Sequence, residues 1–324
     1  FSPSTQIMTA FESVPALTGI ADQHNIGASL TTDHPTVLLN LDTGERLAHW
    51  VEIDARADDS EATIVFVRTL GALDYNTPYG VAFVGLSDLS GSQIPTSQGF
   101  QAILDGHRTN SDDIQARRGG IENFIRDLEA MDYRRADINA AWLFHTASAE
   151  SILGDIVTMR KDALTRLGDD GSGCTVTPPE DNYGDDGLLY RRIRGTITAP
   201  QYLESQAPPA LIVRGEDNLP QYVEDGEIPF TMVIPQVLAD LNESGPLVVF
   251  GHGFLGTGEG TSNYLGRWAE EYKVSFVATD IYGWSTSDLD TLALELANPS
   301  DFQHQAERIE QGLINQMAMI RTFK

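Results

Sequence analysis

Cysteine is almost missing from this chain: Cys174 is the only one among 324 residues. A fold stapled by disulfides within these residues is thereby excluded. Cys174 closes the polar run Asp169-Asp170-Gly171-Ser172-Gly173-Cys174; the plainer reading is a free thiol, but an odd cysteine in such a loop suggests a pairing partner outside this sequence. Positive charge is scarce too. The chain has 21 Lys and Arg against 47 Asp and Glu, a net charge of −26. Such a surface repels nucleic acid and anionic lipid, so no nucleic-acid partner is expected. The acids are spread out rather than gathered in a block, which suits solubility in a salty or extracellular medium. No apolar run approaches the ~20 residues that span a bilayer, so no membrane span is expected. Phe1-Ser2-Pro3-Ser4 has no basic or apolar signal region and no initiator Met, and is read as a processed or partial start. There is no internal repeat.

What is present suits a globular protein. Hydrophobic residues make up 41% of the chain, enough for a sizeable core, and the length suggests about two domains. Residues 1–35 read as an irregular segment. Residues 36–110 read as a β domain of short strands. Val51, Ile53 and Ala55 alternate with Glu52 and Asp54, and Asp42-Thr43-Gly44, Asp58-Asp59-Ser60 and Asn76-Thr77-Pro78 mark turns. Residues 111–187 read as a helical connecting region ending in an acidic loop. Its first helix has the stripe Ile114, Ile121, Phe124, Ile125 and Leu128; its second, at 149–167, is capped by Ser148. Residues 188–324 pass from strands at 188–198, 210–214, 228–234 and 246–250 into alternating helix and strand. That order predicts a sheet that starts antiparallel and continues parallel. Leu265, Trp268 and Tyr272 mark one face of a helix at 261–273. Phe302, Ala306, Ile309, Leu313, Met317 and Ile320 mark the apolar stripe of the last helix.

The chemistry-bearing run is Val248-Val249-Phe250-Gly251-His252-Gly253-Phe254-Leu255-Gly256, an apolar strand entering a His-Gly-x-x-Gly turn. Ester hydrolysis places negative charge on a carbonyl oxygen, and backbone N–H groups aimed at it stabilise the transition state by ~3 kcal/mol each. Glycines at 251, 253, 256 and 258 allow the turn to bend. The expected donor is the N–H of Phe254 or of Leu255, with His252 and Gly253 supporting the loop. His252 is expected to hold the loop by hydrogen bonds rather than act as a base. The plainer alternative is a tight strand-to-helix turn without chemistry.

From residue 246 onward the chain resembles the first half of an α/β-hydrolase domain of the secreted bacterial esterase and lipase type. Pro246 to Gly256 resembles the strand and oxyanion loop. Phe276-Val277-Ala278-Thr279-Asp280 with Tyr282-Gly283-Trp284-Ser285 resembles the next strand and its glycine turn. Upstream, Tyr79 to Gly91 resembles an Ig-like strand and turn. The resemblance implies an α/β hydrolase-like sheet, first half only, preceded by an all-β Ig-like sandwich. It implies a secreted or cell-envelope protein acting on an ester substrate, with Tyr282, Trp284 and Ser285 at the site rim.

The family's nucleophile lies in a Gly-x-Ser-x-Gly elbow, and none occurs here. Gly283-Trp284-Ser285-Thr286-Ser287 lacks the closing glycine, and the only later histidine is His304. The expectation is therefore the N-terminal portion of a serine hydrolase. Its Ser, Asp and His would come from a C-terminal part, cut from the same precursor or carried on a second polypeptide, and this chain alone would be inactive. The alternative is a non-catalytic surface or adhesion protein on a hydrolase-like scaffold. Asp280 is expected to brace the loop, His145 to have a core or capping role, and His24, His34, His49 and His107 to lie at surfaces. No cofactor is implied. Asp181, Asp185 and Asp186 could hold calcium, but their spacing fits no standard calcium loop.

Overall fold

The computed structural model describes residues 1–56, 63–184 and 186–324. The turn expected at Asp58-Asp59-Ser60 and the calcium candidate Asp185 lie outside the described residues. The chain is mixed α/β, with two small antiparallel sheets and one mixed sheet. It divides into two compact units, Phe1–Ile152 and Leu153–Lys324. Among the described residues no helix is long and apolar enough to cross a membrane.

Unit 1 holds β1 (Ile7–Phe11), β2 (Thr36–Asn40), β3 (His49–Ile53), β4 (Thr63–Thr69), β5 (Pro78–Val84), α1 (Gln98–Leu104), α2 (Asp112–Ala130) and β6 (Ile138–His145). One sheet runs β1-β4-β3 and the other β2-β5-β6. Phe11, Val51, Val65 and Val67 of the first share a core with Leu38, Tyr79, Val81 and Phe83 of the second. The second sheet is buried on its far side as well. There Val37, Leu39, Ala82 and Val84 pack with Ile121, Phe124, Ile125 and Leu128 of α2. Cover on both faces explains why β2 reads TVLLN, without alternation. Gly80 is needed at this contact, because a Cβ there would lie 2.6 Å from the Phe124 ring. Ser111 starts α2 by accepting a hydrogen bond from the Ile114 N–H.

Two sequence expectations change here. Residues 1–35 are not wholly irregular, since β1 pairs with β4 from Ile7↔Val67 to Phe11↔Thr63. The unit is not all-β, since α1 and α2 pack on its second sheet and share a core with it. The helix expected to open a connecting region is therefore part of unit 1.

His34 and His49 also depart from expectation: both are buried, because their partners come from distant residues. His49 Nδ1 is 2.8 Å from the Leu47 carbonyl oxygen, and Nε2 is 2.7 Å from Thr36 Oγ1. His34 Nε2 accepts the Ala21 N–H at 2.8 Å. Burial disfavours the charged ring and lowers the pKa of His49 to about 4, and it lowers that of His34 too. The unfolded chain therefore takes up protons below about pH 6.5 that folded His49 refuses. Stability present above that pH is lost as pH falls toward 4, by about 3 kcal/mol for His49. Urea titrations of wild type and His49→Gln at pH 7.5 and 4.5 should show a smaller acid loss in the variant. Equal losses would remove His49 as the cause.

Unit 2 begins within α3 (Ala149–Leu167). It continues through β7 (Cys174–Val176), β8 (Glu180–Asp181), β9 (Leu189–Gln201), β10 (Glu224–Pro235), α4 (Gln236–Leu241) and β11 (Leu247–Val249). It ends with α5 (Gly266–Tyr272), β12 (Ser275–Thr279), α6 (Leu289–Ala297) and α7 (Gln303–Thr322). The sheet order is β11-β12-β10-β9-β7, with β8 also on β9. β9, β10 and β12 are successively antiparallel; β11 and β12 are parallel, joined by a crossover through α5. Ile197, Ala199, Ile228, Phe230 and Val277 pack with Ala318 and Met319 of α7. Leu189 and Val233 pack with Ala269 of α5.

The acidic stretch is partly strand. Glu180 pairs with Arg192 at 2.8 Å and with Arg194 at 2.7 Å, and Asp181 pairs with Arg191 at 2.6 Å. Cys174 is exposed on the edge strand β7 and unpaired among the described residues. Residues 210–214 make isolated bridges only, Leu203↔Ile212 and Arg214↔Pro220.

The helical faces are the largest correction. α7 buries Gln305, Arg308, Gln311 and Asn315 together with Ile314, Ala318 and Met319, while Phe302, Leu313 and Ile320 are exposed. The polar side chains turn inward to meet polar partners: Gln305 donates to the Gly283 carbonyl, Arg308 pairs with Asp288, and Gln311 and Asn315 meet the end of β9. Gln311 Oε1 accepts the Tyr202 N–H at 2.8 Å, and its Nε2 donates to the Pro200 carbonyl at 3.0 Å. α6 likewise buries Thr291 and Glu295 and exposes Leu289, Leu294 and Leu296. On α5, Leu265 just before the helix is buried, whereas Trp268 and Tyr272 are exposed and stacked on each other.

Candidate functional site

β11 and β12 end side by side, and the loops that leave them are joined. Leu255 N–H donates to the Trp284 carbonyl at 2.8 Å, Thr286 N–H donates to the Gly256 carbonyl at 3.1 Å, and Gly256 bridges Ser285 in parallel. Thr286 Oγ1 adds a hydrogen bond to the Leu255 carbonyl at 2.6 Å. The loop 250–258 is thus held along one side by the segment 284–286.

His252 holds it from beneath. The ring is buried; Nε2 accepts the Ile281 N–H at 2.9 Å, and Nδ1 lies 2.8 Å from the Gly253 carbonyl oxygen. An acceptor at Nε2 puts the proton on Nδ1, which donates to Gly253. Both nitrogens are engaged, which leaves no lone pair for base catalysis. Asp280 fixes the far end, its Oδ1 accepting the Gly258 N–H at 2.7 Å.

The glycines act differently from what the sequence suggests. The left-handed residue of the turn is Leu255, at φ 58°, not one of glycines 251, 253, 256 or 258. Gly258 is needed for close approach, since a Cβ would lie 2.8 Å from the Thr279 carbonyl carbon.

The same geometry sorts the candidate donors. The Leu255 N–H is not free, being spent on Trp284. The Gly256 N–H is spent on the Gly253 carbonyl at 2.9 Å. The Phe254 N–H has no acceptor among the described residues. It borders a cavity of about 300 Å³ lined by His252, Gly253, Phe254, Thr257, Tyr264 and Thr286, among others. The exposed Phe254 ring packs on Trp284 with centroids 4.6 Å apart.

Two of the three expected rim residues turn inward. Ser285 is fully buried and caps the turn into α6; its N–H and Oγ both donate to Asp288 Oδ2, at 3.2 and 3.0 Å. Asp288 in turn pairs with Arg308 Nε at 2.7 Å, both side chains 1% exposed. Tyr282 donates its OH to Gln206 Oε1 at 3.2 Å and lies under the Arg308 guanidinium. Burial raises its pKa. Trp284 alone stays at the surface. The Asp288–Arg308 pair that fixes this segment was missed; the one sequence signal was the spacing Ser285-x-x-Asp288, a capping pattern.

The remaining candidates lie elsewhere. His304 is on α7, its Nδ1 3.8 Å from the buried Glu295. His145 is exposed at the end of β6. For calcium, Asp181 is occupied by Arg191, and Asp186 Oδ1 accepts the Leu188 N–H at 3.2 Å. Among the described residues no three His, Cys, Asp or Glu side chains gather to hold a metal. No protein-family model matches this chain, and no curated protein matches it.

Proposed function

We propose that the loop 250–258 is the oxyanion-binding element of a serine hydrolase acting on carboxylic esters. The observation that carries this reading is the Phe254 N–H, left without an acceptor while the Leu255 and Gly256 N–H groups that follow it are directed to Trp284 and Gly253. An acyl-transfer site needs such a donor fixed before the charge develops, and the contacts of His252, Asp280 and Trp284 fix it. The position also suits the reading. In α/β hydrolases one oxyanion N–H comes from the loop after the third strand, and β11 follows the long strands β9 and β10. On this reading unit 2 is the first half of a hydrolase-like sheet, and unit 1 an Ig-like sandwich carrying added helices. The protein is secreted or held at the cell envelope.

Ser285 is excluded as nucleophile by its burial and its bonds to Asp288. The Ser, Asp and His are then supplied from outside these 324 residues, by a C-terminal part or a second polypeptide. The open edge of β11, where Val248 is exposed, can take the strand that carries the nucleophile. An assembly of this chain with that polypeptide should be labelled by a fluorophosphonate on a serine outside the chain and should hydrolyse short-chain esters. An assembly that is both unlabelled and inert to those esters would favour the adhesion or scaffold reading instead.

A further inference from the structure

Unit 1 contains a groove that none of the above uses. It has a volume of about 660 Å³, within the ~300–1,000 Å³ range of small-molecule sites. It lies by β1 and β6, each an edge strand of its sheet. Ile7, Met8, Trp142, Leu143 and Phe144 give it an apolar lining. The aromatic walls are held from behind. Phe144 stacks on Tyr79 with centroids 5.5 Å apart, and Trp142 stacks on Phe83 at 6.1 Å.

Arg117 supplies the side-chain charge; Phe1, whose ammonium donates to the His145 carbonyl at 3.1 Å, also lines the groove. Arg117 lines the groove from α2, and among the described residues it has neither an ion pair nor a hydrogen bond. Its neighbour Arg118 is engaged at both terminal nitrogens, pairing with Glu122 at 3.2 Å and donating to the His107 carbonyl. No carboxylate lines the groove, although the chain carries 47 acidic residues. The other polar side chains of the lining, Thr5 and Gln6, are exposed and have no side-chain partners among the described residues. A locally positive, apolar cleft on a chain of net charge −26 selects a small anion with an apolar tail. One guanidinium matches one negative charge, and its planar fork matches a carboxylate.

We infer that this groove binds an aliphatic monocarboxylate, its chain along Met8, Trp142 and Phe144 and its carboxylate on Arg117. The inference is independent of the ester-hydrolase reading, since it concerns a different unit and different residues.

The test is calorimetric titration of the full chain with decanoate and with decanol at pH 7.5. Decanoate should bind at least tenfold more tightly than decanol. Arg117→Gln should lose about tenfold toward decanoate and nothing toward decanol, since a charge-assisted hydrogen bond contributes on that order. Met8→Asp should abolish both, with an unchanged circular dichroism spectrum. Tryptophan emission should respond to decanoate in wild type and not in Trp142→Phe. Equal binding of acid and alcohol, undiminished decanoate binding by Arg117→Gln, or no binding at millimolar decanoate would each overturn the inference.

Discussion

Replacing Arg308 by methionine is expected to destabilise unit 2 by about 3–5 kcal/mol, the usual consequence of leaving a buried charge without its partner. Arg308 and Asp288 are both 1% exposed and 2.7 Å apart. Arg308 also donates to the Gln206 carbonyl at 3.1 Å and sits over the Tyr282 ring. Without it, Asp288 keeps only the Ser285 N–H and hydroxyl as donors. The ion pair itself need not be strongly stabilising; breaking half of it is what costs. Asp288→Asn combined with Arg308→Met should therefore recover more than half of the loss. Urea unfolding followed by tryptophan emission measures both. A single-variant loss under about 1 kcal/mol would mean that Asp288 reaches water, contrary to its burial. The damage should also reach the candidate site. Asp288 holds Ser285, Ser285 bridges Gly256, and that ladder directs the loop.

In the proposed ester-hydrolysing assembly, Phe254→Pro should lower kcat by about 10²–10³, the range for removing one oxyanion donor. Proline removes the N–H and little else that the loop depends on, because His252, Leu255 and Asp280 make the bracing bonds. Phe254→Ala keeps the N–H and loses only the contact with Trp284, so its effect should stay within about tenfold and fall on KM. The comparison separates donor from side chain. Equal losses in the two variants would assign the effect to the aromatic surface and remove Phe254 as the donor.

The contrast between α2 and α7 shows what periodicity conveys. Both helices alternate apolar and polar faces. In α2 the apolar stripe faces the sheet, so Ile121, Phe124, Ile125 and Leu128 were legible as core. In α7 the residues facing the sheet include Gln305, Arg308, Gln311 and Asn315. The period is the same and the inward side differs, because Gln305 and Arg308 meet Gly283 and Asp288, and Gln311 and Asn315 meet polar groups at the end of β9 that apolar side chains could not satisfy. The demand from β9 arises about a hundred residues away and leaves no local trace. β1 was missed for the same reason, its partner β4 lying more than fifty residues on. His34 and His49 were placed at surfaces because their acceptors and donors are scattered over residues 21, 36 and 47.

The candidate site divides along the same line. Gly-His-Gly-x-x-Gly after an apolar strand was readable from spacing, and so was the bracing role of Asp280. Which N–H remained free was not. The choice between Phe254 and Leu255 depends on the Trp284 carbonyl, 29 residues further along the chain and brought alongside by the pairing of β11 with β12.

The ladder between Gly256 and Ser285 bears on when energy is spent. A loop that closes over its substrate orders itself at every turnover. Here the ordering is done once, during folding, as His252 captures the Ile281 N–H and the loop pairs with 284–286. The left-handed conformation of Leu255, unfavourable for a residue with a β-carbon by ~1 kcal/mol, is absorbed in the same event. On the proposed hydrolase reading, a donor aimed in this way has no reorganisation left to contribute to the barrier.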